Sequence, residues 1–149
     1  MRERGLEPQF PPVALVALDA IRSAATATQA EARDLRARPW CSIDNDDSRD
    51  LDQLTVAEPL AADAVKVLVA VADVDALVPK GGFLDAHAAH NTTSVYTAGG
   101  VFPMLPEKLS TDLTSLNEGA DRLAVVVEMT VGGDGAVRAS EVYRAVVRN

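Results

Sequence analysis

Cysteine is nearly absent from this sequence. A single residue, Cys41, among 149 excludes a disulfide framework and a cysteine-rich zinc site, and it suits a reducing cytoplasm. Basic charge is also short, with 14 Lys and Arg against 22 Asp and Glu for a net charge of −8. A chain this acidic cannot bind nucleic acid through a general basic coat. It can still hold an acidic site that meets a phosphate through a metal ion. Long apolar runs are missing too: the stretch from Val13 to Ile21 is broken by Asp19 and is far shorter than a membrane span. Glu3, Glu7, Pro8, Pro11 and Pro12 disagree with a signal peptide. The expectation is therefore a cytoplasmic chain with no membrane partner. No internal repeat occurs, and the only compositional bias is a mild richness in alanine. What remains is ordinary globular composition, 48% hydrophobic and 24% charged, at a length that suits one compact domain.

Periodicity divides the chain into elements. Leu15, Leu18, Ile21 and Ala25 recur at helical spacing in an Ala-, Leu-, Arg- and Glu-rich stretch, which predicts a helix from Val13 to about Arg38, stopped by Pro39. Gln53 to Ala57 reads as a strand, Glu58 to Ala64 as a turn, and the valine-dense run Val65 to Ala72 as a buried strand. Pro79, Gly81 and Gly82 mark a loop ahead of a short helix from Phe83 to Asn91. Thr92 to Phe102 is extended, and Pro103 to Pro106 a turn. Arg122 to Val131 and Ala136 to Val147, joined through Gly132-Gly133-Asp134-Gly135, predict a β-hairpin. Strands and helices mix without strict alternation, so the expected class is α+β.

The chemistry concentrates between Asp44 and Asp52, where five carboxylates fall within nine residues. Their mutual repulsion costs stability unless solvent or a cation screens it. One reading is a solvated acidic loop. The other rests on Ile43 and Leu51, apolar residues expected to anchor the loop to a core. In an extended segment Asp50 and Asp52 project to one face, and Asp44 could return beside them to complete three oxygen ligands for a hard cation. A calcium EF-hand is excluded, because that alignment puts Arg49 where glycine is required and Thr55 where glutamate is required. Magnesium, satisfied by a few carboxylates with water and phosphate, suits the spacing better. Elsewhere, His87 and His90 lack a third ligand and read as surface histidines. Ser94, Ser110 and Ser115 lack the partners of a nucleophile, and Cys41 reads as inert packing.

Four blocks then share one family pattern. CSIDNDDSRDLDQ, VLVAVADVDALV, TTSVY and FPMLPEKLSTDLTSLNEGADRLAVVVEMT, in this order and spacing, resemble the catalytic (RNB) domain of the ribonuclease II and ribonuclease R family. The resemblance implies a mixed β-sheet with flanking helices. It also implies a Mg²⁺-dependent exoribonuclease that hydrolyses single-stranded RNA from the 3′ end to nucleoside 5′-monophosphates, with no small-molecule cofactor beyond the metal. On the family signature Asp44, Asp50 and Asp52 take the first three acidic positions as catalytic residues. Asp44 and Asp52 would ligate the metal, and Asp50 would hold metal or the attacking water. Gln53 takes the fourth position as a neutral ligand where the family carries a carboxylate. Tyr96 falls where an aromatic stacks on the terminal bases, and Asp73, closing the valine strand, where it would support the site. The matching blocks start at Trp40, so residues 1–39 read as a helical lead-in and 40–149 as the N-terminal portion, about the first third, of an RNB domain. The family's β-barrel RNA-binding domains and its downstream phosphate-binding arginine have no counterpart here. The expectation is a portion inactive by itself. The alternative is a degenerate RNB fold that binds RNA or protein without catalysis.

Overall fold

Valine-rich strands between glycine-marked turns form the sheet that the sequence leads one to expect. The structure is a computed structural model and describes residues 1–28 and 31–149. Its centre is β3 (Val65–Ala72), paired antiparallel on one side with β2 (Gln53–Pro59) and on the other with β6 (Asp121–Val131). β6 in turn pairs antiparallel with β7 (Val137–Arg148) through the predicted hairpin. That turn is closed by Gly132 N–H donating to the Ala136 carbonyl at 2.9 Å, and Gly135 sits at φ +81°, where a side chain would be strained. A short β1 (Arg33–Asp34) adds parallel to β7, giving the order β1-β7-β6-β3-β2. The sheet is therefore mixed and the class α+β, as expected.

Period-two alternation sends one set of side chains to a common core. Leu54 and Val56 of β2, Leu68 and Ala70 of β3, Ala124 and Val126 of β6, and Ala145 and Val147 of β7 are all buried in one cluster with Trp40 and Leu116. The chain covers this face with the segment from β1 to Cys41. That segment starts beside β7 and finishes beside β2, where Cys41 and Thr55 exchange backbone hydrogen bonds at 2.8 and 3.1 Å. Trp40 packs beneath it, its indole N–H donating to the Leu35 carbonyl at 2.8 Å. Cys41 itself is exposed, so the packing role expected for it is wrong: the strand pairing that holds its backbone turns its side chain outward. Farther along the same face the core gives way to ion pairs, Lys66–Glu128, Arg38–Glu58 and Arg33–Glu141.

The first helix is shorter than expected. α1 is confined to Pro12–Ala20, and Ile21 is already extended at ψ 112°. Beyond it the apolar periodicity rests on alanine alone, which buries too little surface to hold a helix. Ser and Thr at 23, 26 and 28 compete for the backbone instead; Thr28 N–H and Oγ1 both donate to Glu31 Oε2 at 2.9 Å. Residues 29 and 30 of the expected helix lie outside those described. Arg33 and Asp34, also expected to be helical, pair with β7, where tertiary hydrogen bonds override local propensity.

α2 (Phe83–Asn91) forms as expected and packs with α1 in a second cluster, Ala14, Leu18, Val78, Leu84, Leu105 and Leu109. It stops at Thr92, a left-handed residue at φ 59° whose N–H donates to the Ala88 carbonyl at 2.8 Å. The reversal feeds a two-stranded ribbon, β4 (Val95–Thr97) with β5 (Gly100–Phe102), and then a π-helical turn at Lys108–Leu113 that the sequence did not announce.

Because Trp40 is 7% exposed and closes the sheet core, Trp40→Ala is expected to cost about 3–5 kcal/mol of unfolding free energy. Urea denaturation followed by far-ultraviolet circular dichroism reads this; a loss below about 1 kcal/mol would mean that the segment over the sheet does not close the core.

Candidate active site

Repulsion among the aspartates makes the attachment of their loop the first question. Residues from Ser42 to Asp52 carry no regular structure, and Ile43 is 82% exposed. The expected anchoring by Ile43 is therefore wrong; no core residue reaches out to meet it. Leu51 does pack on the sheet core, and backbone hydrogen bonds complete the attachment. Ala72 N–H donates to the Asp52 carbonyl at 2.9 Å, and Leu116 N–H to the Leu51 carbonyl at 2.9 Å. The buried hydroxyl of Ser115 accepts the Leu51 N–H at 3.0 Å and donates to the Arg49 carbonyl at 2.8 Å. The acidic loop is thus fastened at its C-terminal end, to β3 and to the segment before β6.

This fastening brings Asp50 and Asp52 to a cavity of about 280 Å³ that Tyr96, Ser94, Met104, Ser110 and Thr114 also line. Tyr96 arrives from β4, and its hydroxyl donates to Asp50 Oδ2 at 3.2 Å. The tyrosine is 68% exposed, so its ring face remains open to a planar ligand. Ser94, two residues earlier, accepts the Met104 N–H at 2.9 Å and closes the ribbon over the cavity. Three expected site residues thus meet in one place.

Asp44 is coupled to them by charge without lining the cavity. Protein packed around the Asp52 carboxyl, and then the charges of Asp50 and Asp44, raise its pKa above the ordinary carboxylate value. The Asp50 charge, followed by desolvation, likewise raises the Tyr96 phenol, which stays protonated as the donor to Asp50. Gln53 does not line the cavity; it is exposed on β2, directly opposite Val71, which does.

Asp73 does not itself line the cavity, though Ala72 and Val74 on either side of it do. It is buried, and its Oδ2 lies 2.8 Å from Arg144 Nε of β7. This ion pair ties the chain at the end of β3 to β7, next to the cavity-lining Ala72 and Val74. His87 is also not the surface histidine expected: it is 4% exposed, packed at a tilt against the Phe10 ring and in contact with Asn91 and Glu7. The helix face carrying it holds the N-terminal segment, with Glu7 N–H donating to Asn91 Oδ1 at 2.9 Å. Sequence reasoning passed over Ser115 as a failed nucleophile, and nothing local marks a serine whose partners lie 64 and 66 residues away.

Beside the Met104 thioether, the polar donors of the cavity are hard oxygens, two carboxylates with serine, threonine and tyrosine hydroxyls. A cation in contact with Asp50 and Asp52 would offset the burial and the like charges that raise Asp52. Among the described residues no three His, Cys, Asp or Glu side chains stand close enough to form a ready-made metal cage. Magnesium does not need one, since it commonly binds through one or two carboxylates with water and substrate phosphate. The donor set fits that ion.

The family model of the RNB domain matches residues 32–149. Ribonuclease R of Escherichia coli (strain K12) is 42% identical over 114 residues, covering 76% of this chain and 14% of the relative. Exoribonuclease 2 of Cronobacter sakazakii is 38% identical over 104 residues, covering 70% of this chain and 16% of the relative. The solved structure of Mycoplasma genitalium RNase R in complex with double-stranded RNA superposes with a TM-score of 0.87 at 26% identity, over 100% of this chain and 26% of that one. The chain therefore spans about a sixth or less of the curated relatives it matches.

The raised pKa of Asp52 has a pH signature. A carboxyl whose folded pKa exceeds its unfolded value contributes stability below the unfolded pKa and loses it as pH rises through the folded one. At pH 7 and without divalent cations, Asp52→Asn is therefore expected to be the more stable protein. The difference closes below roughly pH 3.9, where the unfolded carboxyl is protonated. Urea titrations of both proteins across this range check it; a variant less stable than the parent at pH 7 would show that burial and the neighbouring charges do not disfavour the ionised Asp52.

Proposed function

The chain belongs to the RNB-domain family, and from that premise we propose that it forms the acidic part of a Mg²⁺-dependent exoribonuclease site acting on the 3′ end of single-stranded RNA. The observation that carries this reading is the meeting of Asp50, Asp52 and the exposed Tyr96 ring in one cavity. A cytoplasmic setting accompanies the proposal.

The roles follow from charge and position. An RNA backbone is repelled by Asp50 and Asp52, so the phosphodiester can approach these carboxylates only with a cation between them. Bound Mg²⁺ would neutralise phosphate charge and lower the pKa of a water. Asp52, its pKa raised by desolvation and then by its neighbours' charges, would hold the metal, and Asp44 adds negative potential without lining the cavity. Asp50 keeps Oδ1 free to orient the attacking water, because Oδ2 receives the Tyr96 hydroxyl. The ribbon strand β4 brings the Tyr96 ring to the mouth, where it can stack on a base of any identity. The reading thus separates sequence-independent holding, by Tyr96, from hydrolysis, by the aspartates. The span by itself is proposed to be inactive, supplying the carboxylates while other parts of a longer RNB chain supply the remaining phosphate contacts.

A chimera tests this: the matched segment of this chain replaces its counterpart in Escherichia coli ribonuclease R. The chimera is expected to release nucleoside 5′-monophosphates from single-stranded RNA in the presence of Mg²⁺. Asp52→Asn within it should lower turnover about a hundredfold or more while RNA binding stays within about threefold. Turnover untouched by Asp52→Asn would sink the catalytic reading.

Gln53 motivates the second reading, a degenerate site that binds without hydrolysing, since it brings no charge beside the cavity. Gln53→Asp in the chimera is expected to lower the half-saturating Mg²⁺ concentration of RNA hydrolysis about twofold or more. An unmoved midpoint would show that position 53 does not touch the metal and would remove the reason for the degenerate reading. A chimera with an intact fold, normal RNA binding and no hydrolysis at any Mg²⁺ concentration would establish it.

A further inference from the structure

Asp50 has a peculiar attachment. It lies in an irregular, exposed loop, and the hydrogen bond from Tyr96 at 3.2 Å is itself exposed to water, too weak a tie to fix a carboxylate against a neighbouring one. Yet the peptide groups on its two sides meet the same atom. The Arg49 carbonyl, just before Asp50, accepts from Ser115 Oγ at 2.8 Å, and the Leu51 N–H, just after it, donates to Ser115 Oγ at 3.0 Å.

We propose that Ser115 is a positioning residue for the acidic site, its single hydroxyl clamping the chain on both sides of Asp50 and so aiming that carboxylate into the cavity. The inference rests on the reading of Asp50 as an active-site carboxylate.

The clamp is rigid because Ser115 is itself held. It is 1% exposed, its carbonyl accepts from Arg122 Nε at 3.1 Å, and the next residue, Leu116, donates its N–H to the Leu51 carbonyl at 2.9 Å. Arg122 belongs to β6, so the loop is referred to the central sheet through Ser115. The choice of side chain follows from the geometry. One short atom must donate and accept at once, which a hydroxyl does and a methyl cannot. Asn117 Oδ1, at 3.0 Å from Ser115 Oγ, competes for the same proton and leaves the acceptor role toward Leu51 undisturbed. Asp52 is held separately, through its carbonyl and Ala72 N–H at 2.9 Å. The two carboxylates therefore have independent supports, and loosening one leaves the other in place.

The test uses the 149-residue chain and nuclear magnetic resonance. In the unmodified protein the Leu51 amide is expected to exchange with solvent as slowly as the Leu116 amide, and a nuclear Overhauser contact should join the Asp50 β-protons to the Tyr96 ring. Ser115→Ala should speed Leu51 exchange about tenfold or more and abolish the Asp50–Tyr96 contact. The amides of Val69 and Val127, in the middle of the sheet, should change by about threefold or less. Ser115→Cys keeps the shape of the side chain but forms weak hydrogen bonds, so it should behave as Ser115→Ala does. If Cys instead preserves Leu51 protection and the Asp50–Tyr96 contact, the residue acts by packing and the proposal is overturned. Rapid Leu51 exchange in the unmodified chain overturns it as well, without recourse to any variant. Neither result touches the exoribonuclease reading, which turnover of the chimera decides.

Discussion

Holding two aspartates beside one cavity against their own repulsion is the constraint around which this structure is arranged. Solvent alone would let Asp50 and Asp52 swing apart, because the loop that carries them has no regular structure and Ile43 offers it no foothold. The opposing force is a set of hydrogen bonds from the sheet and from the segment preceding β6. Ala72 holds the Asp52 carbonyl, while Ser115 and Leu116 hold the peptides around Asp50 and Leu51. Such bonds are each modest, but removing one leaves buried polar groups unpaired, and that penalty makes the arrangement stiff. Burial, and then the charges of Asp50 and Asp44, raise the pKa of Asp52, and a divalent cation would offset both.

The sheet gives those hydrogen bonds something firm to pull against. β3 has a strand on each side, and its Leu68 and Ala70 sit in the core that Trp40 closes. The site lies at the end of β3, where Val71 and Ala72 line the cavity, so the most rigid part of the fold borders the least regular. On the opposite side of the cavity α2 ends abruptly at Thr92 and delivers Tyr96. The ring is therefore placed by helix packing and the carboxylates by the sheet, and the hydrogen bond between Tyr96 and Asp50 joins the two.

Several residues that read alike in sequence separated in space. Asp52 and Asp73 both stand at the border of a β-rich run, yet one faces the cavity and the other is buried against Arg144. His87 and His90 are one helical turn apart, but His87 is buried under Phe10 while His90 is exposed and meets the Gly5 carbonyl. Ser94 and Ser115 are both serines near the site. Ser94 lines the cavity and ties down the Met104 amide, whereas Ser115 holds the loop from behind. In each case the outcome depended on a partner more than fifty residues away or on the packing of a neighbouring element, information that no local pattern contains.

The strands, the hairpin turn and α2 were legible because side-chain alternation, valine density and glycine placement are local properties that act before any long-range contact forms. The acidic signature and Tyr96 were legible for a related reason: the chemistry needs those residue types, and their order along the chain matches a family. Alanine richness misled, since helix propensity without an apolar stripe does not hold a helix, and the chain from Arg33 to Trp40 took its shape from the sheet it covers. Tertiary structure alone decided that Asp50 and Asp52 face the cavity while Asp44 acts from a distance, that Asp73 pairs with Arg144, and that Ser115 holds the loop. Those outcomes hang on hydrogen bonds and ion pairs between residues far apart in the chain, which exist only once the sheet has closed and fixed the distances between them.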